Sequence, residues 1–307
     1  MATENKFVFV ELEESASEHI AAPHYSYWRS VFRKFMSSKV AIFMLVLSLI
    51  VVIMSIIHPV ISGYEPLITP NINDFSYRFI RPSATYWFGT DNVGNSLFDA
   101  VWAGTHNSLF VSFMAVLITT VLGVVVGSVW GYSKKMDIFM IEIYNVIANI
   151  PFTLIVMVLM FVLGAGIWQL IFSLSVTSWL GVAYFIRVQV MIIRDREYNL
   201  ASRCLGTPMR TIIVHNILPY LISVIVTQVS RNVPMYIAYE VFLSFLGIGL
   251  GRDEASLGRM ISDYSQYISS AAYLFWIPLA VSAIISVSLY VVGQTLADAA
   301  DPKTHMI

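Results

Sequence analysis

The stretch Val40–Ile57, VAIFMLVLSLIVVIMSII, carries no charged residue, and its flank stays mostly apolar to Ile61. A hydrocarbon core of roughly 30 Å takes about 20 apolar residues wound as a helix, so this stretch is long enough to cross a bilayer. Four basic residues, Arg29, Arg33, Lys34 and Lys39, stand just before it. The same ruler, moved outward, gives five more runs: Ser108–Tyr132, Ile138–Leu163, Ile167–Met191, Tyr220–Phe245 and Leu274–Leu296. Backbone polar groups in lipid must be satisfied inside the segment, so runs of this length read as helices and not as the shorter, alternating strands of a barrel. The expectation is an all-α polytopic membrane protein with six transmembrane helices. The third run is the least regular, because Glu142, Asn145, Asn149 and Pro151 interrupt it.

Composition agrees. Of 307 residues, 57% are hydrophobic and 12% charged, and the mean hydropathy is +0.73, which excludes both a water-soluble globule and a disordered chain. Lys plus Arg (18) nearly cancels Asp plus Glu (19), so no nucleic-acid partner is expected. The single cysteine, Cys204, permits neither an internal disulfide nor a cysteine metal cluster. The histidines form no pair at metal-ligand spacing, so no metal is expected either. Glu4, Glu11, Glu13, Glu14 and Glu18 in the first twenty residues are the opposite of a signal peptide's basic start, which predicts a retained polar tail.

Placing the N-terminus inside puts Lys6, Arg29, Arg33, Lys34, Lys39, Lys134, Lys135, Arg187, Arg194, Arg196, Arg203, Arg210 and Lys303 on the inner side. Only Arg78, Arg81, Arg252 and Arg259 fall outside, with Arg231 within a span. That bias predicts a plasma-membrane protein with both termini cytoplasmic. The resulting organisation is a cytoplasmic tail (1–39), a first transmembrane helix (40–61), an external segment (62–107), a five-helix core (108–296) and a short cytoplasmic tail (297–307). The core contains a cytoplasmic loop (192–219) and an external stretch (248–273).

The cytoplasmic loop is too patterned for a connector. Leu200, Cys204 and Leu205 recur at helical spacing, and Gly206 closes the segment as a helix C-terminus would. Thr207-Pro208 then reads as the N-cap and first residue of a second short helix. Two short helices with a glycine bend either brace the neighbouring spans or dock a partner. The external segment is turn-rich, broken by Pro66, Pro70, Pro82, Gly89 and Gly94. Its Tyr86, Trp87 and Phe88 suit an interfacial aromatic belt or a contact surface.

Ala201-Ser202, Gly206 and Ile217-Leu218-Pro219 resemble the EAA loop of ABC importer membrane subunits, with Leu200 in place of that motif's glutamate and Ser202 in place of its second alanine. Further likeness to the OppC/DppC branch of this family lies in Trp28–Phe35, Trp87–Phe98, Glu240–Gly249, Ser256–Ile261 and Leu296–Pro302, so it covers about Trp28 to Pro302. Tyr25-Ser26-Tyr27-Trp28 and Glu197–Arg203 are similar to oligopeptide permease subunits of Gram-positive cocci. The resemblance implies a type I ABC importer permease fold, and a coupling helix formed by Leu200, Ala201, Ser202, Arg203, Leu205, Gly206, Thr207, Pro208 and Arg210 that seats on a cytoplasmic ATPase. It implies as partners a homologous second permease, two ABC ATPase subunits holding ATP and Mg, an extracellular substrate-binding lipoprotein and an oligopeptide substrate. On this reading Trp87, Phe88 and Asp91 face the binding protein.

Ionisable groups in the bilayer need a partner or a wet cavity. Arg231 and Glu240 are nine residues apart, about two and a half turns, and so do not pair along one face. Glu142, Asn145 and Asn149 succeed one another by about a turn, which places them on one face for packing or for lining a cavity. Arg231, Glu240, Asn145 and Asn149 are therefore the candidate pathway residues. Arg187 sits where it would snorkel to the cytoplasmic surface. Gly123, Gly127 and Gly131 permit close helix approach.

The sequence has no Gly-x-x-x-x-Gly-Lys-Ser/Thr loop, so an ATPase would act in trans and this chain would not itself be an enzyme. The favoured function is one half of the translocation pathway of an ATP-driven oligopeptide importer. Alternatives are the same role for dipeptides or another small solute, and a secondary transporter or channel, although no convincing internal repeat supports the latter.

Overall fold

The computed structural model describes residues 27–68 and 74–300. The acidic start, Lys6, Tyr25-Ser26, Pro70, Lys303 and the closing Asp301-Pro302 lie outside the described residues. Within them the elements are helices: α1 (Tyr27–Ser37), α2 (Lys39–Ser62), α3 (Leu97–Tyr132), α4 (Lys134–Ala148), α5 (Phe152–Leu163), α6 (Ile167–Arg194), α7 (Glu197–Cys204), α8 (Met209–Phe245), α9 (Leu257–Tyr264) and α10 (Ala272–Ala300). Five of them, α2, α3, α6, α8 and α10, are long and apolar enough to cross a membrane, and α4 with α5 make a sixth candidate span bent by 79°.

The bend has a local cause. Pro151 offers no N–H to the helix and takes an extended ψ of 123°, so α4 ends at Ala148 and α5 restarts at Phe152. The third run is thus a broken pair, sharper than a kink. Helix α3 begins eleven residues before Ser108, with Ser96 Oγ capping Asp99 N. Its outer end lies in the segment read from sequence as external.

Helices α3 and α6 form the most extensive pair. A Cβ on Gly127 would lie 2.4 Å from Ala183 O, and one on Gly131 would lie 2.6 Å from Arg187 O. Only glycine lets the two backbones approach this closely, which is how small residues build interfaces where lipid supplies no hydrophobic drive. Near the N-terminal end of α3, His58 Nε2 of α2 stands 3.3 Å from Asp99 Oδ1. Amphipathic α1 buries Val31 and Phe35 against α2 and the end of α10, and Tyr27 donates to Ala300 O at 2.6 Å. Its Arg29, Phe32 and Arg33 face outward.

Candidate functional site

The loop read from sequence as cytoplasmic folds into α7, a bend and the start of α8. The bend is a complete Schellman closure: Gly206 N donates to Arg203 O at 2.9 Å and Thr207 N to Ser202 O at 3.0 Å, with Gly206 at φ +79°. A side chain there would meet nothing within 4 Å, so the backbone sign, not space, selects glycine. The second short helix expected from sequence is instead the first turn of α8, capped by Pro208 and not by Thr207. A π-helical turn at Ile212–Ile217 carries it without a break into the membrane.

Helix α7 is fastened to the bundle by polar contacts that sequence reading missed. Asn199 is fully buried; its Nδ2 donates to Ile193 O at 2.9 Å and its Oδ1 accepts from Asn216 Nδ2 at 3.1 Å. Arg203 Nε donates to Tyr132 Oη at 3.2 Å. Arg194 donates to Gly131 O at 2.9 Å and to the Asp195 carboxylate, whose pKa it holds down. The helix is thereby tied to the C-terminal ends of α3 and α6 and to the start of α8. Its outward side is apolar: Leu200 and Leu205 are exposed, Leu205 to 86%, beside Ala201, Cys204, Pro208 and Arg210. The helical spacing of Leu200, Cys204 and Leu205 therefore marks an outer surface and not a packed face.

Arg187 does not snorkel. Its Nε and Nη2 engage both oxygens of Asp137 in α4, the Nη2 bond being 2.9 Å, and the buried Trp130 Nε1 donates to the same carboxylate at 2.8 Å. This ties α4, the first half of the bent pair, to α6.

A cavity of about 510 Å³ opens between the α4–α5 bend and the middle parts of α6 and α8. Asn149, Ser178, Gln228, Asn232 and Tyr239 are among its walls. Of the four pathway residues read from sequence, only Asn149 lines it. Asn149 Nδ2 donates to Asn145 O, and Glu142, Asn145 and Asn149 are all exposed, so this stripe makes no packing face within the chain. Arg231 is exposed and outside the cavity wall, and Glu240 is wholly buried, accepting from Ser244 Oγ at 2.9 Å and Ser256 Oγ at 3.1 Å. Glu240 thus joins α8 to the N-cap of α9. Among the described residues no group of three or more His, Cys, Asp or Glu is placed to hold a metal ion.

In the segment read from sequence as external, Trp87 is exposed, whereas Phe88 packs on Phe98 and Asp91 is buried. Asp91 Oδ1 accepts from Val93 N and Asn95 N at 2.9 and 2.8 Å, and Tyr264 of α9 donates to Oδ2 at 3.3 Å. Tyr273 of α10 donates to Thr90 O at 2.7 Å. Asp91 belongs to a knot holding the approach to α3 against α9 and α10, and it offers no surface to a second protein.

Comparison with known proteins agrees with this arrangement. The family model described as binding-protein-dependent transport system inner membrane component matches residues 121–306, and that of the N-terminal TM domain of oligopeptide transport permease C matches residues 26–82. The chain is 53% identical to the oligopeptide transport system permease protein AmiD of Streptococcus pneumoniae, over 98% of this chain and 97% of that one. It is 35% identical to the dipeptide transport system permease protein DppC of Bacillus subtilis, over 97% and 92%, and 31% identical to OppC of the same organism, over 94% and 93%. With more than half its length matched and relatives aligned nearly end to end, the chain belongs to the family of binding-protein-dependent transport system inner membrane components.

Proposed function

We propose that the chain is the permease subunit of an ATP-driven oligopeptide importer of the plasma membrane, forming half of the pathway beside a homologous second permease. Two cytoplasmic ATPase subunits hold ATP and Mg, and an extracellular substrate-binding lipoprotein delivers the peptide. Both termini face the cytoplasm, as the distribution of basic residues requires. The observation that carries the reading is α7: a short helix that leaves Leu200 and, at its end, Leu205 exposed, closed by a Schellman bend and tied by polar contacts to three spans. A patch of this kind, too well fastened to fold away, suits a cleft on a partner.

Closure of the ATPase pair would push on Leu200, Leu205 and Arg210. Through Asn199–Asn216 and Arg203–Tyr132 the displacement would pass into α8 and α3, tilting the helices around the cavity. Such a shift requires the ATPase to fit the two states of the permease unequally. Gly206→Asp tests it: peptide uptake is abolished and ATPase subunits no longer co-purify, while the subunit still inserts at normal level. Normal uptake and normal ATPase retention in that variant would refute the docking role.

A further inference from the structure

The cavity at the α4–α5 bend has walls without a single charged group, although it lies against the middle of two spans. Polar side chains at that depth are costly unless they face water or a partner. Gln228 Nε2 donates to Asn232 Oδ1 at 3.3 Å, which leaves the Asn232 amide N–H₂ and the Gln228 carbonyl oxygen to serve the cavity as donor and acceptor. Tyr239 adds a hydroxyl above the bend, its ring 4.9 Å from Phe152 of α5.

A peptide presents an N–H and a C=O on nearly every residue, at intervals of about 3.3–3.6 Å when extended. Paired amides and hydroxyls match that repeating pattern. They form no ion pair with a substrate side chain and repel none. We infer that this wall binds the main chain of the peptide in transit, through Asn232, Gln228 and Tyr239, without selecting by side-chain charge. The inference rests on the importer reading and assigns this half of the pathway its substrate contacts. The competing occupant is a helix of the second permease, which would fill the groove permanently.

Cysteine accessibility in the whole reconstituted complex separates these cases. Cys204→Ser removes the one native thiol, and Asn232→Cys or, on the same wall, Met235→Cys supplies a reporter. A membrane-impermeant methanethiosulfonate should label either position. Acidic, neutral and basic peptides of equal length, supplied with the binding protein, should each slow the labelling several-fold and to the same extent. No labelling at either position would mean that the partner helix fills the groove and would overturn the proposal, as would labelling that no peptide slows. Protection by only one charge class would overturn main-chain recognition. ATP-dependent uptake by the wild-type complex is scored in parallel; its absence would overturn the importer reading itself, whereas uptake with an unreactive wall would sink only this site.

Discussion

Asn199 and Leu205 sit six residues apart on the same short segment and should behave oppositely. Asn199→Ala removes the bonds to the Ile193 carbonyl and the Asn216 amide, which keep Arg196 N and Ser202 Oγ as partners, a net loss of about 0.5–1.5 kcal/mol per bond. Its signature is a lower midpoint in thermal unfolding of the purified complex. Leu205→Ala removes an exposed side chain and should leave that midpoint unchanged while weakening ATPase retention in a pull-down. Asp91 yields a pH prediction. Burial raises its carboxyl above the ordinary value, against the opposing pull of the Asn95 and Val93 amides and the Tyr264 hydroxyl. A carboxyl with a raised folded-state pKa holds its proton more tightly when folded. The outer knot therefore gains stability as pH falls through that raised pKa toward the ordinary carboxylate range, and loses it as pH rises again. Hydrogen exchange of residues 90–96 across this range should show the trend, and Asp91→Asn should flatten it.

At the scale of elements, the glycines of α3 and α6 divide by what surrounds them. Gly127→Ala forces a methyl into the Ala183 backbone, an overpacking cost of about 1–3 kcal/mol, whereas Gly181→Ala meets nothing within 4 Å. Thermal unfolding of the two variants in detergent should separate them, with only the first shifted. The four-residue period of Gly123, Gly127 and Gly131 made this interface legible in sequence, because periodicity reports which face of a helix is small. Pro151 likewise announced a break, since a missing N–H is a local property. Its 79° angle was not legible, because that depends on what α4 and α5 each pack against. Neither was the Asp137–Arg187 pair: fifty residues separate the partners, and nothing local distinguishes a paired arginine from a snorkelling one.

For the whole molecule, orientation reduces to one thiol. Cys204 is exposed at the end of α7. An impermeant maleimide should label it from the cytoplasmic side only, in inside-out vesicles and not in intact cells. In the assembled complex the ATPase should shield it, and stripping the ATPase should restore labelling. The five long apolar helices and the bent sixth candidate could be read from the chain because bilayer thickness acts on long segments. Of the cavity only Asn149 stood out, as a polar residue in an apolar run; Ser178 and Asn232 reach it from two other helices and neither looks unusual in its own surroundings. Glu240 misled for the converse reason: a carboxylate in a span suggests a pathway, yet serines from α8 and from the α9 cap enclose it.

The π-helical turn at Ile212–Ile217 bears on rotational phase. Each residue of an α-helix advances the chain by about 100°, whereas the wider π turn spreads one extra residue over the same winding, so it takes up that residue without changing the phase of the helix on either side. A residue inserted into the regular winding just beyond Ile217 has no such turn to absorb it and would swing Asn216 by that angle away from Asn199. The apolar runs would survive such an insertion, and what would be lost is the alignment of the short helix with the spans, turning a coupled subunit into an assembled but disengaged one.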